Sequence, residues 1–368
     1  RKVGNLTYDG EKIMDRYDPS NPSIKWQRQE NRNIGFDASL FNNRVNLVVN
    51  YYNNDTRNLL DEKKIAASTG RLAVTANVAS VNNKGWEISL RTLNIRTDDF
   101  SWVTSVNFTK NKDKVTETYY QDLSEISAST NSTFESLYSL YIQGQPVRAF
   151  YGYKFAGVDP YTGNTLAYVD GFDDDGNRLG MLNAEGKYVY NMDNDLTVQL
   201  ANASRSYLGR SDPPITGGFT TQFNYKRFSL FAQFTYMTGH LARSFQYYSG
   251  GTAYAAAKNV LKIEANRWRK PGDLTDIPRY DTGRTEYLYQ LFDFRFEKGD
   301  YLKCNNISLG YNLEQSICDK LHITRARLNF NMANVFTLTK FRGIDPETKG
   351  AFTYPSARSY TFSLSIGI

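Results

Sequence analysis

Polar and apolar residues alternate along much of this chain, with a period of two, in nine separate segments. In Asn33 to Phe41, residues Ile34, Phe36, Ala38 and Leu40 share one face, against Asn33, Gly35, Asp37 and Ser39 on the other. A period of two predicts strands with one apolar and one polar side. The next segments align Leu47, Val49 and Tyr51; then Trp86, Ile88 and Leu90; then Trp102, Thr104, Val106 and Phe108. Further along come Phe219, Thr221, Phe223 and Tyr225, followed by Phe228, Leu230, Ala232, Phe234 and Tyr236. The last three align Ile307, Leu309 and Tyr311; Ala326, Leu328, Phe330 and Met332; and Tyr360, Phe362, Leu364 and Ile366. These apolar faces carry two Thr, Thr104 and Thr221, and no charge.

The links between segments alternate in length. Asn42, Asn43 and Arg44 make a hairpin in which Asn tolerates positive φ. Three more links are short, whereas the alternate ones span 54–83, 111–214, 238–299 and 337–358. Short turns at one end and long loops at the other describe an all-β, antiparallel transmembrane barrel, with periplasmic turns and outer loops. A soluble β-sandwich is the rival, but it predicts loops of similar length at both ends. It also leaves Trp86, Trp102, Tyr225 and Tyr236 unexplained, whereas a bilayer places such rings at its two interfaces. These four are assigned as membrane-interface anchors.

Bacterial single-chain barrels have an even strand count. Nine strands, the first running down from outside, do not close alone, and an open edge in hydrocarbon costs several kcal/mol per unpaired backbone group, roughly. The reading therefore takes 1–368 as the C-terminal part of a larger barrel. Residues 1–32 are then the tail of an outer loop, and 33–368 the strands with their loops.

Composition narrows the function. Of 368 residues, 27 are Tyr and 22 Phe, the formal net charge is +6, and the two Cys exclude a disulfide scaffold. Cys304 and Cys318 could pair with each other, but two free thiols are the favoured reading. Basic and acidic residues interleave, so no nucleic-acid partner is expected. No apolar run approaches the ~18 residues of a membrane helix. The two histidines, His240 and His322, fall at opposite ends of the strands, so no catalytic triad is supported and no enzyme activity is expected. The run 170–177 is rich in Asp, but EF-hand spacing would put Leu182 where Glu is needed. Asp173 and Asp175 are weak cation candidates; a hairpin tip explains them better.

Loop 111–214 holds 8 Lys and Arg against 14 Asp and Glu. Its aromatic residues include Tyr138, Tyr141 and Tyr151, and those of loop 238–299 include Tyr247, Tyr248, Tyr254, Tyr287 and Tyr289. These eight are the candidates for ligand or partner contact, since aromatic faces pack on sugar rings and protein surfaces. The competing reading is that such rings hold the long loops together. Residues 255–267 read as a short helix.

Several motifs carry a family resemblance in combination. Asn21 to Trp26 (N-P-S-I-K-W) precedes Asn33 to Asp37 (N-I-G-F-D), and Val78 to Trp86 reads V-A-S-V-N-N-K-G-W. Gln143 to Tyr153 reads Q-G-Q-P-V-R-A-F-Y-G-Y, and Trp268 to Asp273 reads W-R-K-P-G-D. Later come Gly299 to Leu302 (G-D-Y-L), Asn334 to Gly343 (N-V-F-T-L-T-K-F-R-G), Asp345-Pro346-Glu347, and Tyr354-Pro355 before Arg358. Together they resemble the barrel portion of a SusC/RagA-type TonB-dependent transporter. Cys304, where that strand usually has Leu, and the terminal Ile368 depart from the pattern. The resemblance implies a 22-stranded barrel with its plug domain and N-terminal strands upstream of Arg1. It further implies TonB-driven import of an oligosaccharide or peptide across the outer membrane, beneath a SusD-like surface lipoprotein. No cofactor is implied, and the family commonly forms dimers of transporter–lipoprotein pairs. A passive porin-type channel and a surface adhesin stay open as alternatives.

Overall fold

The computed structural model describes residues 7–8, 11–12, 21–64, 73–118, 142–169, 181–183, 185–192, 206–243, 262–279, 292–348 and 354–368. Its main feature is a nine-stranded antiparallel sheet in chain order: β1 (Arg28–Leu40), β2 (Val45–Lys64), β3 (Ala73–Arg96), β4 (Phe100–Thr118), β5 (Ile215–Tyr225), β6 (Phe228–Thr238), β7 (Tyr301–Asn312), β8 (Arg325–Thr339) and β9 (Ser359–Gly367). Each strand pairs with its sequence neighbours, and β1 and β9 form the two edges.

Register joins the nine apolar faces into one. Leu47 lies opposite Leu90, Leu90 opposite Val106, Val106 opposite Phe219, and Phe219 opposite Phe234. Toward the short turns, Phe223 faces Leu230, Leu230 faces Leu309, Leu309 faces Phe330, and Phe330 faces Phe362. A one-residue slip at any pair would turn that strand inside out, so the alternation fixes the register. The two Thr are satisfied within this face: the Trp102 indole donates to Thr221 Oγ1 at 3.0 Å, and Asn94 donates to Thr104 Oγ1 at 2.8 Å.

Among the described residues the apolar face has no second layer. Among the described residues the nine strands pack mainly on their hydrogen-bonded neighbours, apart from helix α1 (Gln315–Lys320) against β8. Trp86, Leu309 and Leu328, on inner strands of the sheet, are each 48% exposed. A sandwich would bury such side chains; a lipid-facing wall leaves them open.

The opposite face is hydrogen-bonded across the strands. Ser39 donates to Asn46 Oδ1 at 2.9 Å, Ser89 to Asn107 Oδ1 at 3.1 Å, and Asn224 to Ser101 Oγ at 3.0 Å. This is a wall built for water.

Strands and turns differ from the sequence pattern in places. The hairpin after β1 has positive φ at Asn42 and Asn43, and also at Phe41, where no pattern announced it. β2 and β3 run on to Lys64 and back from Ala73, well into the span read as loop 54–83. Bulges between Thr56 and Leu60 break the alternation there, so the period-two signal fades while pairing continues. β1 starts at Arg28, inside the span 1–32 read as a loop tail, and Ile24 to Trp26 before it are bracketed by Asn77, whose Oδ1 accepts from Lys25 N at 2.8 Å and whose amide donates to Lys25 O at 2.9 Å. Cys304 lies at a bulge between Phe234 and Phe336, fully buried, and both Cys are free thiols. The rings of Phe234 and Phe336 stand 6.4 Å apart across it, a gap that suits the small thiol.

The candidate transport wall and its outer cap

Four anchor candidates fall into two tiers. Trp102 faces Phe223 near the short turns, and Tyr225 ends β5 there. Trp86 faces Tyr51 and Lys110, and Tyr236 faces Gly217, both toward the long-loop end. Ten residues of β4 separate Phe100, opposite Tyr225, from Lys110, opposite Trp86. At ~3.4 Å per residue and a tilt near 40°, this is about 25 Å along a barrel axis, the height of an outer-membrane apolar band. Trp86 packs on Tyr51 with centroids 4.9 Å apart, and Trp102 on Phe223 at 5.4 Å. The Tyr236 ring covers Gly217, whose absent Cβ leaves room for it.

Between Phe223, Tyr225, Phe228, Leu230, Tyr311 and Phe330 runs an apolar groove of about 720 Å³. It opens on the apolar face at the short-turn end, where an acyl chain fits better than a polar nutrient.

The tightest packing lies in the loops beyond the sheet. Ala149–Gly152 pairs with Ser206–Arg210, and Phe155–Val158 and Thr165–Tyr168 join a separate four-stranded sheet. Tyr153 bridges to Phe292, and Leu241–Arg243 pairs with Phe296–Lys298. Tyr153 is fully buried and Phe292 is 2% exposed. Their centroids are 5.7 Å apart, and Phe155 meets Phe292 at 6.2 Å and Phe294 at 5.0 Å. Chain 100 or more residues apart in sequence thus shares one core.

Polar contacts seat this cap on the wall. Asp113, on the polar face of β4, accepts from Val147 N at 2.8 Å and pairs with Arg210. On β7, Lys303 pairs with Glu347, which also accepts from the Tyr301 hydroxyl at 3.2 Å. Arg342 pairs with Glu297 at 3.2 Å, and Asp300 accepts from Gly239 N at 2.7 Å.

Trp268 closes a second contact between loops. Its indole donates to Pro160 O at 2.9 Å, and Gly272 N reaches the same carbonyl at 2.8 Å. The ring lies over Gly163, at φ +73°, where a Cβ would sit 2.4 Å from it. Gly163→Ala is expected to loosen this contact by on the order of 1–3 kcal/mol, through backbone strain and collision. Faster limited proteolysis of the cap in the full-length protein, with the barrel band unchanged, is the readout.

Asp293 accepts from Phe155 N at 3.0 Å. Burial pushes its carboxyl above the usual range, against the lowering pull of the backbone N–H groups and Lys154. Its contribution to cap stability is thus fully present below the ordinary Asp range and is lost as pH rises through the raised value. Asp293→Asn keeps an acceptor and is expected to flatten that dependence in hydrogen exchange of Phe155 N–H across the acidic range.

Of the ligand-contact candidates, Tyr151 alone falls among the described residues. It is 2% exposed, its ring is 6.0 Å from Tyr207, and burial holds its hydroxyl well above the usual range. Tyr138, Tyr141, Tyr247, Tyr248, Tyr254, Tyr287, Tyr289, Asp173 and Asp175 lie outside the described residues. Of the expected helix at 255–267, the described part is a 3-10 turn, Lys262–Asn266. No group of His, Cys, Asp and Glu suited to a metal occurs among the described residues. His240 is buried beneath the cap, and His322 follows α1 at the other end of the sheet. The residues that seat the cap, among them Asp113, Arg210, Lys303 and Trp268, escaped the sequence reading. Trp268 had a signal in the W-R-K-P-G-D motif, and Asp300, Tyr301, Arg342 and Glu347 lay within other quoted motifs, whereas Asp113 and Arg210 had none.

No helix among the described residues is long and apolar enough to cross a membrane, which leaves a β-barrel untouched. Residues 5–173 match a family model described as "TonB dependent receptor-like, beta-barrel". TonB-dependent receptor P3 of Formosa agariphila is 27% identical over 387 residues, covering 99% of this chain and 36% of that protein. TonB-dependent receptor SusC of Bacteroides thetaiotaomicron is 24% identical, covering 94% of this chain and 32% of that protein. A solved structure of the RagAB peptide importer in its "closed-closed" state superposes with a TM-score of 0.72 at 26% identity, over 99% of this chain and 38% of the other. The chain spans about a third of the length of the curated relatives it matches. With an open apolar face and a hydrogen-bonded polar one, the chain has a β-barrel wall similar to those of TonB-dependent receptors, SusC and the RagAB importer among them.

Proposed function

We propose that this chain forms the wall and outer cap of a transporter in the bacterial outer membrane that imports a large nutrient, an oligosaccharide or a peptide, with energy supplied through TonB. A SusD-like surface lipoprotein lids the mouth above the cap. The carrying observation is the two-sided sheet: an apolar face open in register across nine strands, backed by a polar face on which a folded loop cap is seated. Such a wall admits water on one side and lipid on the other, and transport through it needs no covalent chemistry. The relatives are receptors and transporters, and one solved relative, RagAB, is a peptide importer.

Deleting the gene for the full-length protein is expected to abolish growth on one complex oligosaccharide or peptide source, and removing TonB is expected to do the same. Uptake that persists without TonB would assign a passive channel. Normal uptake in the deletion strain, with loss of surface attachment, would assign an adhesin.

A further inference from the structure

We propose that the apolar side of the wall carries, just beyond its outer aromatic tier, a binding site for the phosphate groups of anionic lipid in the outer leaflet, formed by Lys84 on β3 and Lys110, Lys112 and Lys114 on β4. The inference rests on the membrane-embedded reading and adds to it a specific lipid contact.

Register places these four on one face. Lys110 lies opposite Trp86, Lys112 opposite Lys84, and Lys114 opposite Asn82. Cross-strand partners share a face, so all four stand on the side of Trp86, Leu90 and Val106. The intervening Asn111 and Asp113 point the other way: Asn111 accepts from Tyr52, and Asp113 holds the cap. All four lysines are exposed, and none makes a side-chain hydrogen bond or ion pair among the described residues.

This arrangement is costly without an anion. Lys84 and Lys112 are directly opposite, and like charges so placed repel across roughly 5 Å between Cβ atoms. Lys110 and Lys114 flank them at about 7 Å along the strand. Nearby carboxylates offset only part of the charge, since Asp55 and Glu117 bring two negative charges against four lysines. Glu30 is taken by Arg32 at 2.6 Å, Asp55 accepts from Asn82 at 2.8 Å, and Glu117 accepts from Ser80 at 2.9 Å. Arg28 and Arg57, paired across β1 and β2, add two more cations on the same side.

Depth selects the occupant. Trp86 and Tyr51 mark the outer boundary of the ~25 Å apolar band, and Lys112 and Lys114 stand about 5 and 10 Å beyond it. That is headgroup depth, where flexible lysines bind phosphate as point charges.

The test uses the full-length protein in bilayers of phosphatidylethanolamine with or without lipid A, with retained lipid counted by native mass spectrometry after mild extraction. Lys84→Gln, Lys110→Gln, Lys112→Gln and Lys114→Gln together are expected to weaken lipid A retention by on the order of 100-fold or more. Lys226→Gln with Lys320→Gln, at the short-turn end, is expected to leave it unchanged. Should the fourfold variant fail to assemble, Lys112→Gln with Lys114→Gln carries the test with a smaller loss. Equal retention by the original and variant proteins, or no preference for lipid A over phosphatidylethanolamine, overturns the site. A heat-modifiable barrel band in every variant keeps that failure distinct from failure of the membrane reading, which would appear as no insertion at all.

Discussion

Arginine at Val106 or Leu47 is expected to destabilise the full-length barrel in a bilayer by about 2–4 kcal/mol, whereas arginine at Ser105 or Asn46 is expected to cost little. Val106 is four residues from Trp102 and four from Lys110, so it lies midway between the two aromatic tiers. Leu47, Leu90, Val106, Phe219 and Phe234 form one row across five strands at that depth. A guanidinium there has no water within reach, and its side chain is too short to reach either interface without a detour. Leu230 lies closer to the short turns, opposite Phe223, and its penalty is expected to be smaller. Ser105 and Asn46 face the polar side, where Asn46 already accepts from Ser39. Gln233 on β6 is the matching control near Phe234. Equilibrium folding into lipid vesicles measures the series. Equal costs on both faces would reverse the assignment of lipid and water to the two sides.

Phe292→Ala is expected to cost the cap roughly 3–5 kcal/mol, while leaving insertion of the barrel intact. Phe292 is the hub of the loop core, with Tyr153, Phe155 and Phe294 all in ring contact. Its removal opens a cavity that these large rings fill poorly, and the backbone bridge from Tyr153 loses its packing. The effect is read as rapid protease cleavage within the outer loops of folded, membrane-inserted protein, beside an unchanged heat-modifiable band. Loss of insertion instead would mean that the cap and wall fold as one unit.

These two experiments probe layers that the sequence disclosed unequally. The wall was legible because lipid and water impose a simple rule on every second residue. Phe219, Thr221, Phe223 and Tyr225 announce their side of β5 before any partner is known, and the partner strand then has only one register that agrees. Even the exceptions are local: Thr104 and Thr221 sit on the apolar face, and the structure supplies Asn94 and Trp102 as donors to them. The pattern failed where bulges break the period, in the outer parts of β2 and β3.

The cap was not legible for a different reason. Its stability comes from contacts between distant loops: Trp268 with Pro160, Phe155 with Asp293, Arg210 with Asp113. Nothing near Phe292 in the chain reveals that Tyr153 will lie against it. Aromatic richness in loops 111–214 and 238–299 was visible, but richness is shared by rings that pack and rings that bind. Tyr151, chosen as a contact candidate, is buried against Tyr207, so folding and not sequence decided what its ring touches.

The lysine patch divides the two cases. Sequence alone supplied Lys110, Lys112 and Lys114 at spacing two but read the last two as part of loop 111–214; the extension of β4 to Thr118 sets all three on a single face. Only pairing with β3 brought Lys84 against Lys112 and set the group beside Trp86. Alternation along a chain determines which side a residue faces, because the backbone pleat is local. What stands beside it depends on register and on loop closure, which bring together residues the chain itself keeps apart.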